Sequence, residues 1–275
     1  MGKIKIITDS TSYIKKEFAE EMDIAVVALN YVFDGVEEKE GFPGEFHEFY
    51  EKLQNTKLFP TTSQPSAAAF LKEYQKAFEE GYESIIAILL SSKLSGTYNS
   101  ALIAKDILED KRITVIDSLQ AASNLRFLVE DAINMVKEGI LEEEIVKTIK
   151  EKRKNMSIYL TVDTLEYLRR GGRLSGIQST IGEMLNIKPI IQLIDGELKL
   201  LDKVRGKKKA LKSLSDKVQG NVERIAICHI LNEEEALKLK EELESRYPNI
   251  PISIDELGPV IGCHIGPKGI GICFY

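Results

Sequence analysis

The stretch from Ser84 to Ala104 reads S-I-I-A-I-L-L-S-S-K-L-S-G-T-Y-N-S-A-L-I-A. Its apolar run, Ile85 to Leu90, has the length of a buried strand and is too short to span a membrane. Hydroxyls and a glycine follow at once, in Ser91, Ser92, Ser95, Gly96, Thr97 and Ser100, and Tyr98, Ala101, Leu102 and Ile103 then take up a helical spacing. The reading is strand, turn, helix. The first N–H groups of a helix lack intrahelical partners and carry the positive end of its dipole, so such a junction receives anions. Ser95 and Thr97 add hydroxyls, and Gly96 lets a ligand oxygen reach the backbone. Simple capping of the helix by Ser95 explains the same residues.

Working outward, P-T-T-S-Q-P-S over residues 60–66 precedes a second helical face, formed by Ala67, Phe70, Leu71, Tyr74, Ala77 and Phe78. It reads as another hydroxyl-rich helix start. Two such turns at the C-terminal edge of an α/β sheet would meet where ligands of open sheets bind. Upstream, Lys3 to Ile7 is a strand that ends in T-D-S-T-S; Asp9 there either caps the helix that follows or orients nearby hydroxyls. Ile24 to Phe33 reads as one strand region, Asp34-Gly35 as a hairpin turn, and residues 37–55 as a polar segment with a short aromatic helix. Arg112 to Ile116 is a further strand, followed by helices over 121–137 and 141–154.

Strands alternating with helices over residues 1–155 indicate a parallel sheet with helices on both faces. The charged run Glu151 to Asn155 sets the expected boundary, giving an N-terminal α/β domain over 1–155 and a C-terminal α/β domain over 156–275. In the second part, Ser157 to Val162 is a strand. Leu165 and Leu168 lie on a helix that ends at Gly171-Gly172, where Arg169, Arg170 and Arg173 either cap free carbonyls or face an anion. Ile187 to Leu201 reads as a hairpin around Asp195-Gly196. A basic cluster follows over 203–212, either a solvated face or a docking surface for an acidic partner, with Arg205, Lys207, Lys208 and Lys209 its candidates. Arg224 to Ile230, 233–247 and 252–254 read as strand, helix and strand. The tail G-P-V-I-G-C-H-I-G-P-K-G-I-G-I-C-F-Y reads as strand broken by glycines, with His264 either structural or part of a site.

Bulk properties narrow the classes. The 275 residues carry a net charge of -6 with a pI near 5.4, which argues against nucleic acid as the main partner. M-G-K-I-K-I-I-T-D-S has neither the apolar region nor the cleavage site of a signal peptide, so a cytoplasmic location is expected. Cys228, Cys263 and Cys273 read as reduced core residues. His47, His229 and His264 lack the ligand spacing of a zinc site, so no metal is expected. Cys228-His229 and Cys263-His264 are adjacent pairs that on strands would point to opposite faces. No G-x-S-x-G elbow surrounds Ser95 and no phosphate loop occurs.

T-D-S-T-S, T-T-S-Q-P-S, S-S-K-L-S-G-T-Y-N-S-A, L-R-R-G-G-R-L-S and G-C-H-I-G-P-K-G, in this order, resemble the DegV family of bacterial fatty-acid-binding proteins, over the chain from Lys3 to Tyr275. The resemblance implies an N-domain with a parallel sheet, a second α/β domain with a mixed sheet, and a long-chain fatty acid held between them. It implies a lipid carrier with no catalytic residues and no cofactor, presenting the acid to a separate fatty acid kinase for acyl phosphate formation. The carboxylate is then expected at Thr62 or Ser63, at Ser95 and at backbone donors around Gly96, with His264 and Arg170 or Arg173 in the same network. No transmembrane segment is expected, and transient contact with a membrane surface stays open. The competing reading is a phosphoryl-handling enzyme that uses the same hydroxyls and His264.

Overall fold

The structure is a computed structural model that describes residues 2–56, 58–173 and 186–275. Leu174 and Ser175, which end the arginine motif, lie outside the described residues.

The opening stretch folds as its local signals require. Strand β1 (Ile4–Asp9) is buried along its whole length, as a strand covered on both faces must be. It runs parallel to β2 (Ala25–Val27) on one side and to β6 (Ser84–Leu89) on the other, and β6 pairs with β7 (Ile113–Asp117) in the order β2-β1-β6-β7. Alternation along β6 sends Ile85, Ala87 and Leu89 to one apolar cluster with Phe70, Tyr74, Ala101 and Ala104, carried by α3 (Ala67–Glu79) and α4 (Thr97–Leu108). Ile86 and Ile88 face the opposite way, toward Leu125, Leu128 and Val129 of α5 (Ala122–Lys137). The parallel sheet is therefore helix-covered on both sides. Short helices α1 (Lys16–Glu21) and α2 (His47–Gln54) and helix α6 (Glu142–Lys152) complete this part.

The expected single strand over residues 24–33 is split. Asp9, Val27 and the end of β2 stay in the parallel sheet, whereas β3 (Asn30–Phe33) turns into a small antiparallel sheet with β4 (Val36–Lys39) and β5 (Thr61–Ser63), in the order β4-β3-β5. The hydroxyl-rich run at 60–66 is thus only partly a helix start. Thr61–Ser63 is strand, and Ser66 alone caps α3, its Oγ accepting from the Ala69 N–H at 3.3 Å.

The second sheet has the order β10-β9-β8-β13-β11-β12 and is mixed, with β11–β12 parallel and the other pairs antiparallel. Its strands are β8 (Ser157–Thr161), β9 (Ile187–Ile194), β10 (Glu197–Arg205), β11 (Ile225–His229), β12 (Ile252–Glu256) and β13 (Ile270–Phe274). Helices α8 (Lys207–Ser215) and α9 (Glu233–Arg246) cover one face, through Ala210, Leu214, Ala236 and Leu239 against Ile190, Ile227 and Ile272. The other face, with Ile158, Leu160, Ile191, Leu193 and Cys273, shares one apolar cluster with α5 and the first sheet. Helix α5 thus stands between the two sheets and is buried on both sides.

The glycine-rich tail is not continuous strand. Pro259–Ile265 forms helix α10, started by proline at its first turn, where a missing N–H costs nothing. His264 and Cys263 therefore sit on a helix, about 100° apart around its axis. Helix α7 (Glu166–Gly171) ends at Gly172 in the left-handed conformation, as its sequence predicts.

Candidate functional site

The parallel sheet turns in opposite directions on the two sides of β1, so the C-terminal ends of β1 and β6 flank a switch point. Asp9 fixes that crevice. Its Oδ1 accepts from the N–H of Thr11 at 3.0 Å and the hydroxyl of Thr11 at 2.5 Å, and its Oδ2 accepts from the Leu90 N–H at 2.7 Å. Asp9 therefore caps the 3-10 turn Ser10–Ser12 and also joins two strand ends. Complete burial pushes its carboxyl up, against the hydrogen bonds from Leu90 and Thr11.

Beyond these strand ends lies a cavity with about 840 Å³ of empty space, counted out to its open mouth. Leu90 and Leu94 from the β6–α4 turn and Ala121 and Ala122 from the start of α5 line one side. Ile158, Leu160, Leu193 and Leu198 from the mixed sheet line the opposite side, with Cys228 and Cys273, whose sulfurs lie 3.6 Å apart. Val260, Ile261 and Ile265 of α10 close it. Among the described residues the lining is apolar except for the polar side chains of Thr62, Ser95, Arg173 and His264.

These four come from four separate elements. Thr62 Oγ1 lies 2.8 Å from His264 Nε2. Burial, with the Arg173 charge beside it, holds the His264 imidazole down at about 4, so the ring is neutral at pH 7. Its Nδ1 is buried with no partner among the described residues. Ser95 Oγ accepts from the Thr97 N–H at 3.3 Å and lies 2.9 Å from Thr97 Oγ1. Arg173 donates from Nε to the Leu94 carbonyl at 3.0 Å and from its guanidinium to the Gly171 carbonyl, tying the end of α7 to the turn that carries Ser95. Burial lowers the Arg173 pKa.

Three expected site residues are placed elsewhere. Ser63 follows Thr62 on β5, so the pleat turns it to the other face, where its hydroxyl donates to Glu37 at 2.9 Å. Arg170 is exposed, paired with Glu166 one helical turn away at 2.5 Å and stacked on the Phe59 ring at 4.0 Å. Gly96 caps α4 without lining the cavity. Its role is close approach, since a Cβ there would lie 1.9 Å from Gln64 Oε1. Arg205, Lys208 and Lys209 are exposed, and Lys207 pairs with Glu235 at 3.2 Å.

Two contributors carried no usable sequence signal. Gly171 abuts the histidine, and a Cβ there would lie 2.2 Å from His264 Nδ1. Glu40 is buried behind α10, where it accepts from Ser10 Oγ at 2.6 Å, the Val260 N–H at 2.8 Å and Tyr13 OH at 3.3 Å. Burial and the Asp9 charge push its carboxyl up to about 7 against those hydrogen bonds. Glu40 thereby joins the first sheet to the helix that carries His264. No group of three or more acidic, histidine or cysteine side chains able to hold a metal occurs among the described residues. No helix among them is long and apolar enough to cross a membrane.

The DegV family, described as uncharacterised proteins, matches residues 3–275 of the chain. A DegV domain-containing protein of Halalkalibacterium halodurans is 36% identical over 280 aligned positions, covering 100% of this chain and 99% of the relative. The crystal structure of DegV from Bacillus subtilis, described as a fatty acid binding protein, is 34% identical with a TM-score of 0.88, covering 100% of this chain and 99% of that one. A fatty-acid-binding DegV family protein from Thermus thermophilus is 30% identical with a TM-score of 0.90 and 99% coverage of both chains. With agreement of this extent in both sequence and fold, the chain belongs to the DegV family.

Proposed function

We propose that the chain is a carrier for a long-chain fatty acid. The observation that carries this reading is an apolar cavity whose polar side chains, among the described residues, are Thr62, Ser95, Arg173 and His264. Such a lining matches an amphiphile with one polar end. The fatty-acid-binding relatives of B. subtilis and T. thermophilus support the same ligand class.

The energetics divide the labour. Burying an acyl chain contributes about 0.8 kcal/mol per CH₂, so about 14 methylenes contribute on the order of 11 kcal/mol before association costs. Each hydrogen bond to a carboxylate adds about 1.5 to 3 kcal/mol. The tail supplies affinity and the hydroxyls set orientation. A neutral His264 that donates from Nε2 to Thr62 Oγ1 leaves the Thr62 proton free to point at the carboxylate, as does Ser95 once Thr97 N–H occupies one of its lone pairs. Arg173 is already engaged by two carbonyls and adds a background of positive charge.

A carboxylate held mainly by neutral hydroxyls stays nucleophilic toward a phosphoryl donor brought by another protein. Catalysis is accordingly assigned to a separate fatty acid kinase. We take its docking face to be the basic cluster of Arg205, Lys207, Lys208 and Lys209, all exposed. The division after Asn155 is kept as a functional one: residues 1–155 supply the hydroxyl turns and 156–275 close over the acyl chain.

Native mass spectrometry of the purified protein, followed by organic extraction, tests this reading. A stoichiometric long-chain fatty acid is expected. A protein that is empty and refuses added fatty acid, yet gains the mass of a phosphoryl group from a phosphoryl donor, would replace the carrier with a phosphoryl-handling enzyme acting through His264.

A further inference from the structure

We propose that Cys228 and Cys273 form an oxidation site in the wall of the acyl cavity, a thiol pair that a peroxide converts to a reducible disulfide while the cavity is empty. Protection by a filled cavity rests on the fatty-acid reading; the oxidation itself does not. Alternation along β11 and β13 turns Ile227 and Ile272 toward α8 and α9, and Cys228 and Cys273 toward α5 and the cavity. Register sets Gly271 opposite Cys228 and Ala226 opposite Cys273, so the two cysteines are diagonal neighbours. Gly271 places no side chain between them, and their sulfurs approach to 3.6 Å.

One carboxylate orders the protons of the pair. Asp255 Oδ2 pairs with Arg126 and accepts from the Ser123 hydroxyl at 2.6 Å. Ser123 has its only proton in that bond, so its oxygen, 3.0 Å from Cys228 Sγ, accepts the Cys228 thiol. The Cys228 sulfur in turn accepts the Cys273 thiol. The hydrogen bond to Cys228, and then burial, push the Cys273 thiol up. Cys273 therefore keeps its proton, and Cys228 is the attacking sulfur. The third thiol, Cys263, lies on α10 and faces the Thr61 carbonyl at 3.9 Å.

With hydrogen peroxide as oxidant the reaction balances. The Cys228 thiolate attacks one peroxide oxygen, the S–O bond forms, the O–O bond breaks, and the departing hydroxide takes up the Cys228 proton as water. The Cys273 sulfur then attacks Cys228, the S–S bond forms, and the sulfenic oxygen leaves as a second water with the Cys273 proton. Diagonal partners stand about 7 Å apart at Cα, at the far end of what a disulfide spans without backbone movement. The bond is accordingly strained, and strained disulfides are the readily reduced ones. Peroxide is small enough to enter the empty cavity, and an acyl chain closes that route.

The test treats the full chain with hydrogen peroxide, lipid-free and loaded with palmitic acid, and follows intact mass and peptide maps. The lipid-free parent is expected to lose two hydrogens, to keep one of its three thiols, to yield a Cys228–Cys273 cross-link, and to recover with dithiothreitol. At free acid ten times its Kd about one tenth of the protein is empty, so oxidation should slow about tenfold. Cys273→Ala should stop at a sulfenic acid on Cys228, Cys228→Ala should form no cross-link, and Cys263→Ala should react as the parent does. Mapping the parent needs no variant to fold. Failure to lose two hydrogens, or a cross-link through Cys263, would overturn the pair. Equal rates with the acid still bound would overturn the protection alone. A chain that refuses the acid overturns the carrier reading and the protection with it, while the cross-link in the lipid-free parent is decided separately.

Discussion

Thr62 Oγ1 and His264 Nε2 stand 2.8 Å apart across 202 positions of sequence, joining the small antiparallel sheet to the last helix at the polar end of the cavity. Thr62→Val keeps the shape of the side chain and removes its proton. It is expected to weaken fatty-acid retention about tenfold, the loss of one hydrogen bond to a charged group. Ser95→Ala should add a similar factor, since the two hydroxyls approach from different elements. Ligand retention by the double variant, read by extraction and mass spectrometry, checks both. Full retention with an unchanged melting midpoint would remove these hydroxyls from the headgroup site.

Two buried groups give the folded protein opposing responses to pH. His264 is held down at about 4 by burial and then by Arg173. The unfolded chain therefore binds a proton between about pH 6.5 and 4 that the folded protein refuses, and stability falls as pH drops through that window, by about 3 kcal/mol in full. Glu40, pushed up to about 7, does the reverse. The folded protein keeps its proton after the unfolded chain has lost it, so stability falls as pH rises from about 4.5 to about 7, by about 3 kcal/mol. Glu40→Gln should gain on the parent protein as pH rises through that range and hold its advantage above it. His264→Asn should gain as pH falls. Chemical unfolding from pH 4 to 8 separates the two, and parallel curves for parent and Glu40→Gln would show that Glu40 titrates in the folded protein as it does in the unfolded chain.

Local order explains what the sequence disclosed. Ser84 to Ala104 places an apolar run, a hydroxyl turn and a helical face within one short segment, so strand, turn and helix could each be read from neighbours, and the mixed second sheet followed from the family resemblance. The tail misled because Val260, Ile261, Cys263 and Ile265 satisfy a strand alternation broken by glycine nearly as well as a single helical turn. Pro259 at the first position was the available signal for the helix. Thr61–Ser63 is too short and too polar to announce a strand, and it is one because β3 offers an open edge. Glu40 looked like one more surface charge, since Val260, which helps bury it, lies 220 residues away.

Two glycines at the site should respond differently to the same change. A Cβ at Gly96 meets the amide end of Gln64, a flexible side chain that can swing aside, although its hydrogen bond to Ser100 Oγ at 3.2 Å is lost. A Cβ at Gly171 meets the His264 ring, which is held in place by Thr62. Gly171→Ala is expected to cost about 2 kcal/mol or more by overpacking and to reduce ligand retention with it. Gly96→Ala should cost less than about 1 kcal/mol. Denaturant titration of the two variants orders these effects, and equal losses would mean that the histidine ring moves as freely as Gln64.

The α5 side of the cavity offers a handle on chain length that leaves the four polar side chains unaltered. Ala121 and Ala122 line it at the start of α5, on the segment that stands between the two sheets. Ala121→Leu places three further carbons in space that the acyl chain would otherwise fill. Each displaced methylene removes about 0.8 kcal/mol of ligand burial, so retention of the longest chains should fall by about tenfold or more while shorter ones are held as before. The bound fatty acids extracted from the variant should therefore shift toward shorter chains, with the headgroup hydroxyls untouched. An unchanged chain profile would place the tail along Cys228 and Cys273 in the sheet wall instead, where Cys273→Leu becomes the variant that shortens it.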